Sequence, residues 1–318
     1  MAPAVVQYNS NDTHTRVCKH ASVYDTTTFS PSCPSPSGRA LERRVRQRSL
    51  SKHKDAYTLI QQALAAAKAA AHRAGEVILS YYNSHYEVQS KGVDNPVTTA
   101  DLAANRVLHE TLLAAFPEAG WLSEESADDV ARLQHDYVWI IDPIDGTKEF
   151  IQGIDEFVVV VAFVVQQQVE VAVTYNPVRQ ELLHACRGQG AFCNDQPIHV
   201  SATSHLPGAL VLASRSETGR GEWERFRDIL TVRPMGSVAY KLAQVAQGKC
   251  DMTFSLVPKN EWDICAGTLL VTEAGGQVTD LQGQPFRFNQ PETLRAGLIA
   301  TNGHLQAQVL RLTQAPAA

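Results

Sequence analysis

The sequence from residue 137 to residue 150 reads Tyr-Val-Trp-Ile-Ile-Asp-Pro-Ile-Asp-Gly-Thr-Lys-Glu-Phe, and it joins an apolar run to a turn. The run ends in two carboxylates three positions apart, Asp142 and Asp145, with a proline between them. Gly146 and Thr147 follow, a composition typical of a strand that turns into the start of a helix. The stretch therefore predicts a strand that brings two carboxylates to one turn.

The residues of this turn allow two readings. Asp142 and Asp145 can converge on one hard cation, while the backbone N–H groups of Gly146 and Thr147 can face an anion. A divalent cation beside an anion cradle is a common means of holding a phosphate ester for attack. The same residues would also make an ordinary turn, in which aspartate caps and glycine supplies a positive φ. This stretch alone does not separate the two readings.

Composition restricts the class of protein. The chain has 318 residues, enough for one large domain or two ordinary ones, and its apolar content of 44% is typical of a globular protein. No apolar run reaches the roughly 18–20 residues of a membrane span. The net charge of −5 argues against a nucleic-acid binder, which usually presents a basic face. Six cysteines without a C-x-x-C pair favour free thiols in a reducing compartment, so we expect a cytoplasmic protein.

The first 54 residues differ from the rest. They carry nine of the 28 basic residues and three of the 33 acidic ones, which leaves 19 basic and 30 acidic residues beyond position 54. They are rich in Ser, Thr, Pro and Arg and show no apolar period, so residues 1–54 are expected to be a disordered tail. An organelle transit peptide, a misassigned start codon and a plain solvated tail fit this composition equally well. A transit peptide would place the protein in an organelle.

Beyond the tail, helix and strand patterns occur in blocks. Apolar residues at three- and four-residue spacing predict a long helix from Asp55 to about Tyr81 and a second helix from Thr99 to Phe116. Runs of β-branched residues then predict strands. Among the later helices we expect one around Glu222–Leu230 and one over Trp262–Ala274.

This order of elements predicts a layered α+β fold. Helices that frame first one sheet and then another indicate two sheets with helices between and around them. We place the domain at residues 55–318, with two halves at about 55–200 and 201–318. No clean linker separates the halves.

Acidic residues gather at the ends of the predicted elements. They are Asp101, Glu124, Glu125, Asp142, Asp145 and Asp263. Each alone is explained by helix capping or by the helix dipole. Together they predict a magnesium site, since such sites combine carboxylates with substrate phosphate oxygens and water.

Four segments resemble the signatures of the inositol monophosphatase superfamily. They are Lys91–Asp101, Ser123–Ser126, Asp142–Thr147 and Trp262–Gly267, the last followed by Glu273–Gly276. All four stand in family order across about residues 57–310. The resemblance implies a five-layered αβαβα sandwich that hydrolyses phosphate monoesters with two or three magnesium ions and is inhibited by lithium. It also implies a small phosphate ester as the partner and suggests a homodimer.

The resemblance assigns roles to single residues. It implies that Glu124, Asp142, the Ile144 carbonyl and Asp145 bind metal, and that Asp263 joins Asp142 and Asp145 at a second ion. Asp101 matches the residue that pairs with Thr147 to orient and deprotonate the attacking water, which Glu124 contacts through its metal. The amides of Gly146 and Thr147 are expected to hold the phosphate.

Segments beside the signatures bear on the substrate. Lys148 opens a Lys-Glu-Phe segment similar to bacterial 3′(2′),5′-bisphosphate nucleotidases, where inositol monophosphatases more often carry Thr-Asn-Phe. Ser214 opens a segment similar to the nucleotidase Ser-Arg-Ser-His, although Glu217 replaces the histidine. Ser237, in a Gly-Ser pair, matches the nucleotidases too. Lys241 lies one position later than the nucleotidase lysine, and from Ser237 onward the spacing is similar to the inositol branch.

We therefore expect a nucleotidase that converts 3′-phosphoadenosine 5′-phosphate to AMP. Its substrate contacts would come from Gly146, Thr147, Lys148, Ser214, Ser237 and Asp263. Inositol-1-monophosphatase and histidinol-phosphate phosphatase are the alternatives on the same scaffold. From another class, the chain would be a non-catalytic sensor of a phosphorylated metabolite, a reading that the complete acidic set disfavours. A metal-dependent nuclease is disfavoured by the acidic charge of the body.

Overall fold

The computed structural model describes residues 38–92 and 95–314, with side chains from Asp55 onward. The chain divides into two compact units, Met1–Ser51 and Lys52–Ala318. In the first unit only the helical backbone from Gly38 is described. Every element after the first helix belongs to the second unit.

Helix α1 (Gly38–Tyr81) begins well before the predicted start at Asp55. The prediction of disorder for residues 1–54 falls mainly on residues 1–37, which lie outside the described residues. For residues 38–54 it is wrong. That segment lacks an apolar period, but it is rich in arginine and also holds leucine and lysine, which are strong helix formers even without a packed face. From Asp55 the prediction is confirmed, and the buried face of α1 is a stripe of alanines that lets the helix pack closely.

A short hairpin and a capped helix follow. Strands β1 (Val88–Gly92) and β2 (Asn95–Thr98) pair antiparallel, and α2 (Thr99–Ala115) begins directly after them. Thr98 is the N-cap: its hydroxyl accepts from the Ala100 N–H, while the Asp101 side chain accepts from the Thr98 N–H. This capping box fixes the start of α2 where the sequence predicts it.

Seven strands form the larger sheet in chain order. They are β3 (Gly120–Ser123), β4 (Tyr137–Asp145), β5 (Val158–Val165), β6 (Gln168–Asn176), β7 (Glu181–Cys186), β8 (Ala191–Cys193) and β9 (Gln196–Ile198). A 3₁₀ helix (Val130–Gln134) and the short helix α3 (Thr147–Ile151) lie on either side of β4 in the chain. β3 runs parallel to β4, and the remaining neighbours are antiparallel. The carboxyl ends of β3 and β4 therefore meet at one edge.

The second sheet comes from the later part of the chain. In chain order the elements are β10 (Leu210–Ser214), α4 (Arg215–Gly219), a 3₁₀ helix (Glu224–Phe226), β11 (Thr231–Met235), α5 (Val238–Ala246), β12 (Met252–Ser255), β13 (Lys259–Asn260), α6 (Glu261–Glu273), β14 (Gln277–Thr279), β15 (Leu294–Arg295), β16 (Leu298–Thr301) and α7 (Gln306–Gln314). Five strands pair in the order β11-β10-β12-β16-β14, and β13 pairs with β15 alone.

The predicted helix around Glu222–Leu230 is wrong in its length. Only residues Glu224–Phe226 are helical, as a 3₁₀ turn. The apolar spacing that suggested a helix instead serves a ring cluster, in which Trp223 and Phe226 both contact Phe254, with ring centroids 4.6 and 5.2 Å apart. Tertiary packing of the aromatic rings has overridden the local pattern.

Alternation along the strands defines five layers. On β5, Val159, Val161 and Phe163 pack with α1 and α2, whereas Val158, Val160 and Ala162 pack with α5 and α6. The other face of α5 and α6 meets the second sheet through residues such as Leu212 and Ala300. The far face of that sheet packs against α7 and the aromatic cluster. This order confirms the αβαβα sandwich.

Two further predictions concern the described residues. The cysteines there, Cys186, Cys193, Cys250 and Cys265, are free. Within the same residues, no helix combines the length and the apolar character needed to cross a bilayer.

Candidate active site

A β-bulge places two carboxylates on the same face of β4. Asp142 is opposite Val160 and Asp145 is opposite Val158, so three residues of β4 span two of β5. Since side chains two apart on a strand share a face, the extra residue lets Asp142 and Asp145 do so at a spacing of three. Gly146 then turns the chain with φ 108°, and a Cβ there would lie 2.8 Å from the Glu156 carbonyl oxygen. The turn requires glycine.

Two other elements bring carboxylates to this edge. Glu124 follows β3, and its N–H donates to the Ile141 carbonyl at 3.2 Å. Asp263 lies in the first turn of α6, where its Oδ2 accepts from the Asn260 N–H at 3.0 Å. Glu124, Asp142 and Asp263 each place one carboxylate oxygen within 4.8 Å of the others. The structure thus brings together three of the predicted metal ligands.

The other two predicted ligands have protein partners. Asp145 Oδ2 accepts from the Ser237 hydroxyl at 2.6 Å and from the Ala239 N–H at the start of α5. The Ile144 carbonyl accepts from Thr147 Oγ1 at 3.1 Å. Both residues adjoin the three-carboxylate group, but their roles as ligands remain predictions.

Asp101 lies behind Thr147. Its Oδ1 accepts from Thr147 Oγ1 at 3.0 Å, while Oδ2 accepts from the Thr98 N–H at 2.8 Å and from its hydroxyl at 2.6 Å. The side chain is 1% exposed. One carboxylate oxygen is therefore held by the helix cap and the other is presented to the threonine.

Burial dominates the electrostatics of the acidic residues. It raises the pKa of Asp142 and Asp263, and the neighbouring carboxylates raise both further. Burial also raises the pKa of Asp101 and Asp145, although their hydrogen bonds oppose it. The cationic side chain nearest the group is Lys91, whose Nζ lies 2.7 Å from both Glu124 and Glu125.

The donor set fits a hard divalent cation. Glu124, Asp142 and Asp263 offer only carboxylate oxygens, which magnesium prefers over the nitrogen and sulfur ligands of zinc sites. Packing three carboxylates this closely, one of them buried and two partly buried, is unfavourable unless a cation compensates them. The site is therefore suited to magnesium.

A cavity of about 330 Å³ opens above the carboxylates. The predicted site residues on its wall are Glu124, Asp142, Ile144, Asp145, Gly146, Thr147, Lys148, Ser214, Ser237 and Asp263. Asp101 is the predicted residue that does not line it. Elements of both sheets contribute, so the cavity lies where the two sheets approach each other.

The sequence did not predict an ionic network that lies on this wall. Arg215 pairs with Glu156, and its Nε lies 3.7 Å from Glu149 Oε1. Glu156 Oε2 also accepts from the Gly236 N–H at 2.8 Å. A Cβ at Gly236 would lie 2.1 Å from Glu149 Cδ, so a side chain there would displace the network. The partners are far apart in the chain, and no local pattern identifies them.

Comparison with known proteins settles the family. A model of the inositol monophosphatase family matches residues 59–316. The chain belongs to this family. It is 33% identical to an inositol-1-monophosphatase of Rhizobium meliloti over 267 residues, which cover 81% of this chain and 95% of the relative. Members of the family are phosphatases, generally dependent on magnesium, and this protein is accordingly a phosphatase.

Solved structures of family members share the fold. The extragenic suppressor protein SuhB of Bartonella henselae is 32% identical, with a TM-score of 0.71 over 79% of this chain and 98% of the other. CysQ of Bacteroides thetaiotaomicron is 30% identical, with a TM-score of 0.61 over 76% of this chain and 97% of the other.

The Asp142→Asn variant is expected to lose phosphatase activity while keeping its fold. The substitution removes a charged metal ligand at nearly constant volume. Phosphate release with magnesium should fall to background, with an unchanged circular dichroism spectrum. Asp136→Asn, at an exposed position before the same strand, is the matched control and should remain active. Activity of Asp142→Asn comparable to wild type would contradict the assignment of Asp142 as a ligand.

The metal-free protein should lose stability as the pH rises above about 4. Its buried aspartates keep their protons in the folded state at pH values where the unfolded chain, with an aspartate pKa of about 3.9, has lost them. Magnesium requires the ionised carboxylates, so it should raise the melting temperature more at pH 8 than at pH 5. Thermal unfolding with EDTA and with magnesium tests this. Without metal, the melting temperature of Asp142→Asn should fall less steeply with rising pH than that of wild type. An equally steep fall would count against the explanation.

The Asp101→Asn variant should lower kcat without abolishing magnesium binding. An asparagine retains the cap but cannot take a proton, and a general base contributes about 10²–10⁴-fold. Calorimetric titration with magnesium should match wild type while kcat falls by about that factor. A parallel loss of magnesium affinity would instead identify Asp101 as a ligand.

Proposed function

We propose that the protein is a 3′(2′),5′-bisphosphate nucleotidase that removes the 3′-phosphate of 3′-phosphoadenosine 5′-phosphate. The observation that carries this proposal is Lys241 in the cavity wall. Its side chain is buried, and Nζ makes one long hydrogen bond, 3.5 Å, to the Met235 carbonyl oxygen. Among the described residues, no carboxylate lies within ion-pair distance of it.

A buried ammonium without a close partner is unfavourable. Burial lowers the pKa of Lys241, while the charges of Asp145, Glu217 and Glu149 act in the opposite direction from a distance. A monophosphate ester has one anionic phosphate, which would bind to the cation held by the three carboxylates. A bisphosphate brings a second one, which supplies the partner that Lys241 lacks.

The nucleotidase-like segments also form one unit in the structure. Glu149, from the Lys-Glu-Phe segment, pairs with Arg215, from the Ser-Arg-Ser segment. Lys148, Arg215 and Lys259 line the same cavity as Lys241. Basic side chains therefore share the cavity wall with the carboxylates, and this arrangement suits a substrate with more than one anionic group.

The chemistry follows from the groups in place. Two or three magnesium ions bound by Glu124, Asp142 and Asp263, with the Ile144 carbonyl and Asp145 as the resemblance implies, would neutralise phosphate charge and acidify a water. The single hydroxyl proton of Thr147 lies within reach of Asp101 Oδ1 and of the Ile144 carbonyl, and when it is donated to Asp101 the Thr147 oxygen can accept a proton from the attacking water. Burial raises the pKa of Asp101, which favours its holding that proton. The amides of Gly146 and Thr147 would orient the phosphate.

Inositol-1-monophosphatase is the second candidate. Two observations favour it. The Rhizobium meliloti relative is named an inositol-1-monophosphatase, and the residue spacing from Ser237 to Gly248 is similar to that of the inositol branch. Such an enzyme has no evident use for a buried lysine on the cavity wall.

The proposal is tested by phosphate release from 3′-phosphoadenosine 5′-phosphate and from inositol 1-phosphate, with magnesium and with lithium as inhibitor. Wild type should prefer the nucleotide in kcat/KM. In Lys241→Met the ratio of the two kcat/KM values should fall by about 10–100-fold, the worth of one charge-assisted hydrogen bond. Lys249→Met, whose ammonium pairs with Glu181 at 2.9 Å, is the matched control. Preference of wild type for inositol 1-phosphate would overturn the proposal.

A further inference from the structure

Glu217 is an acidic residue of the cavity wall that neither the metal ligands nor the ionic network uses. It lies on α4 and is 7% exposed. Its Oε2 accepts from the indole N–H of Trp223 at 3.0 Å. Within the described part of the chain, no donor lies at hydrogen-bond distance from its other oxygen, Oε1. A mostly buried carboxylate thus keeps one oxygen without a protein partner.

The position of this carboxylate is fixed by its surroundings. The Glu217 N–H donates to the Ser214 hydroxyl at 3.4 Å at the start of α4. Trp223 is buried, and its ring contacts Phe226 and Phe254, with centroids 5.4 and 4.6 Å away. The indole N–H therefore holds Oε2 from a rigid platform, and Oε1 is the oxygen that remains for another partner.

A carboxylate oxygen on a cavity wall that has no protein donor can accept a hydrogen bond from a bound ligand, so a ligand that supplies a donor is favoured there. A carboxylate is an acceptor only. It repels phosphate, which separates its role from that of Lys241 on the same wall. The fitting group is a hydroxyl or an amine on the uncharged part of the substrate.

We infer that Glu217 is a specificity-determining residue, which accepts a hydrogen bond from a hydroxyl or amino group on the alcohol that the enzyme releases. This inference rests on the proposed function, because the released alcohol there is a nucleotide. Adenosine 3′,5′-bisphosphate offers two such donors, the ribose 2′-hydroxyl and the 6-amino group of adenine. Glu217 thereby selects for the leaving group, while the metal ligands act on the phosphate.

The Glu217→Gln variant inverts the polarity of this position at constant volume. The Trp223 N–H requires an acceptor, so it holds the glutamine carbonyl oxygen and turns the NH₂ group toward the cavity. A donor then stands where the carboxylate offered an acceptor. Glu222→Gln is the matched control, since Glu222 is exposed and pairs with Arg220 at 2.6 Å.

The experiment compares kcat/KM for adenosine 3′,5′-bisphosphate with that for p-nitrophenyl phosphate, whose leaving group carries no donor. In Glu217→Gln the ratio should fall by about 10–100-fold, and in Glu222→Gln it should not change. An unchanged ratio in Glu217→Gln, or an equal fall on both esters, would overturn the inference.

Two analogues identify the donor. The 2′-deoxy analogue lacks the hydroxyl, and the inosine analogue carries an oxo group in place of the amine. With one of these analogues, kcat/KM of the wild type should fall by a factor similar to the one that Glu217→Gln causes. In Glu217→Gln itself, kcat/KM should be nearly the same for that analogue and for the parent nucleotide. If neither analogue shows this coupling, Glu217 does not contact the nucleotide.

A second variant and a second substrate keep the inference separate from the proposed function. Trp223→Phe keeps the carboxylate but removes the N–H that orients it, and should lower the same ratio mainly through KM. If wild type prefers inositol 1-phosphate, the nucleotidase proposal fails, and Glu217 is then tested with inositol 1-phosphate against cyclohexyl phosphate. A lower ratio of the two kcat/KM values in Glu217→Gln than in wild type then supports the inference, and an unchanged ratio overturns it.

Discussion

The mutual repulsion of closely packed carboxylates is the constraint on which this structure depends. Glu124, Asp142 and Asp263 place oxygens within 4.8 Å of one another, with Asp142 buried and the other two partly buried. Separate elements hold them, namely β3, β4 and α6, and each element is fixed by its own core contacts. The αβαβα packing therefore supplies the free energy that keeps these charges together, and a bound cation offsets what remains.

The cavity wall carries two kinds of charge. The carboxylates suit a cation and the phosphate that it accompanies. On the same wall Lys241 lacks an ion-pair partner among the described residues, and Glu217 keeps one free oxygen. The network of Glu149, Arg215 and Glu156 holds another part of this wall. Catalysis and substrate choice thus depend on different residues.

The sequence predicted those features that local chemistry determines. The start of α2 at Thr99, the strand that ends at Asp145 and the order of the layers all follow from spacing and composition. The contacts of Asp145 with Ser237, and of Arg215 with Glu149, join residues far apart in the chain, so no local pattern carries them. The helix expected around Trp223 failed for a related reason, because its aromatic spacing serves a distant strand.

The origin of the ligands along the chain has a consequence for biosynthesis. Asp101, Glu124, Asp142 and Asp145 leave the ribosome long before Asp263 and before α5 and α6. Until those helices emerge, the apolar face of β5 that they cover stays open to water, and the early carboxylates lack one of the oxygens that would share a cation. The enzyme therefore gains its metal site only after α6 has emerged, and a product truncated before α6 would be both inactive and prone to aggregate.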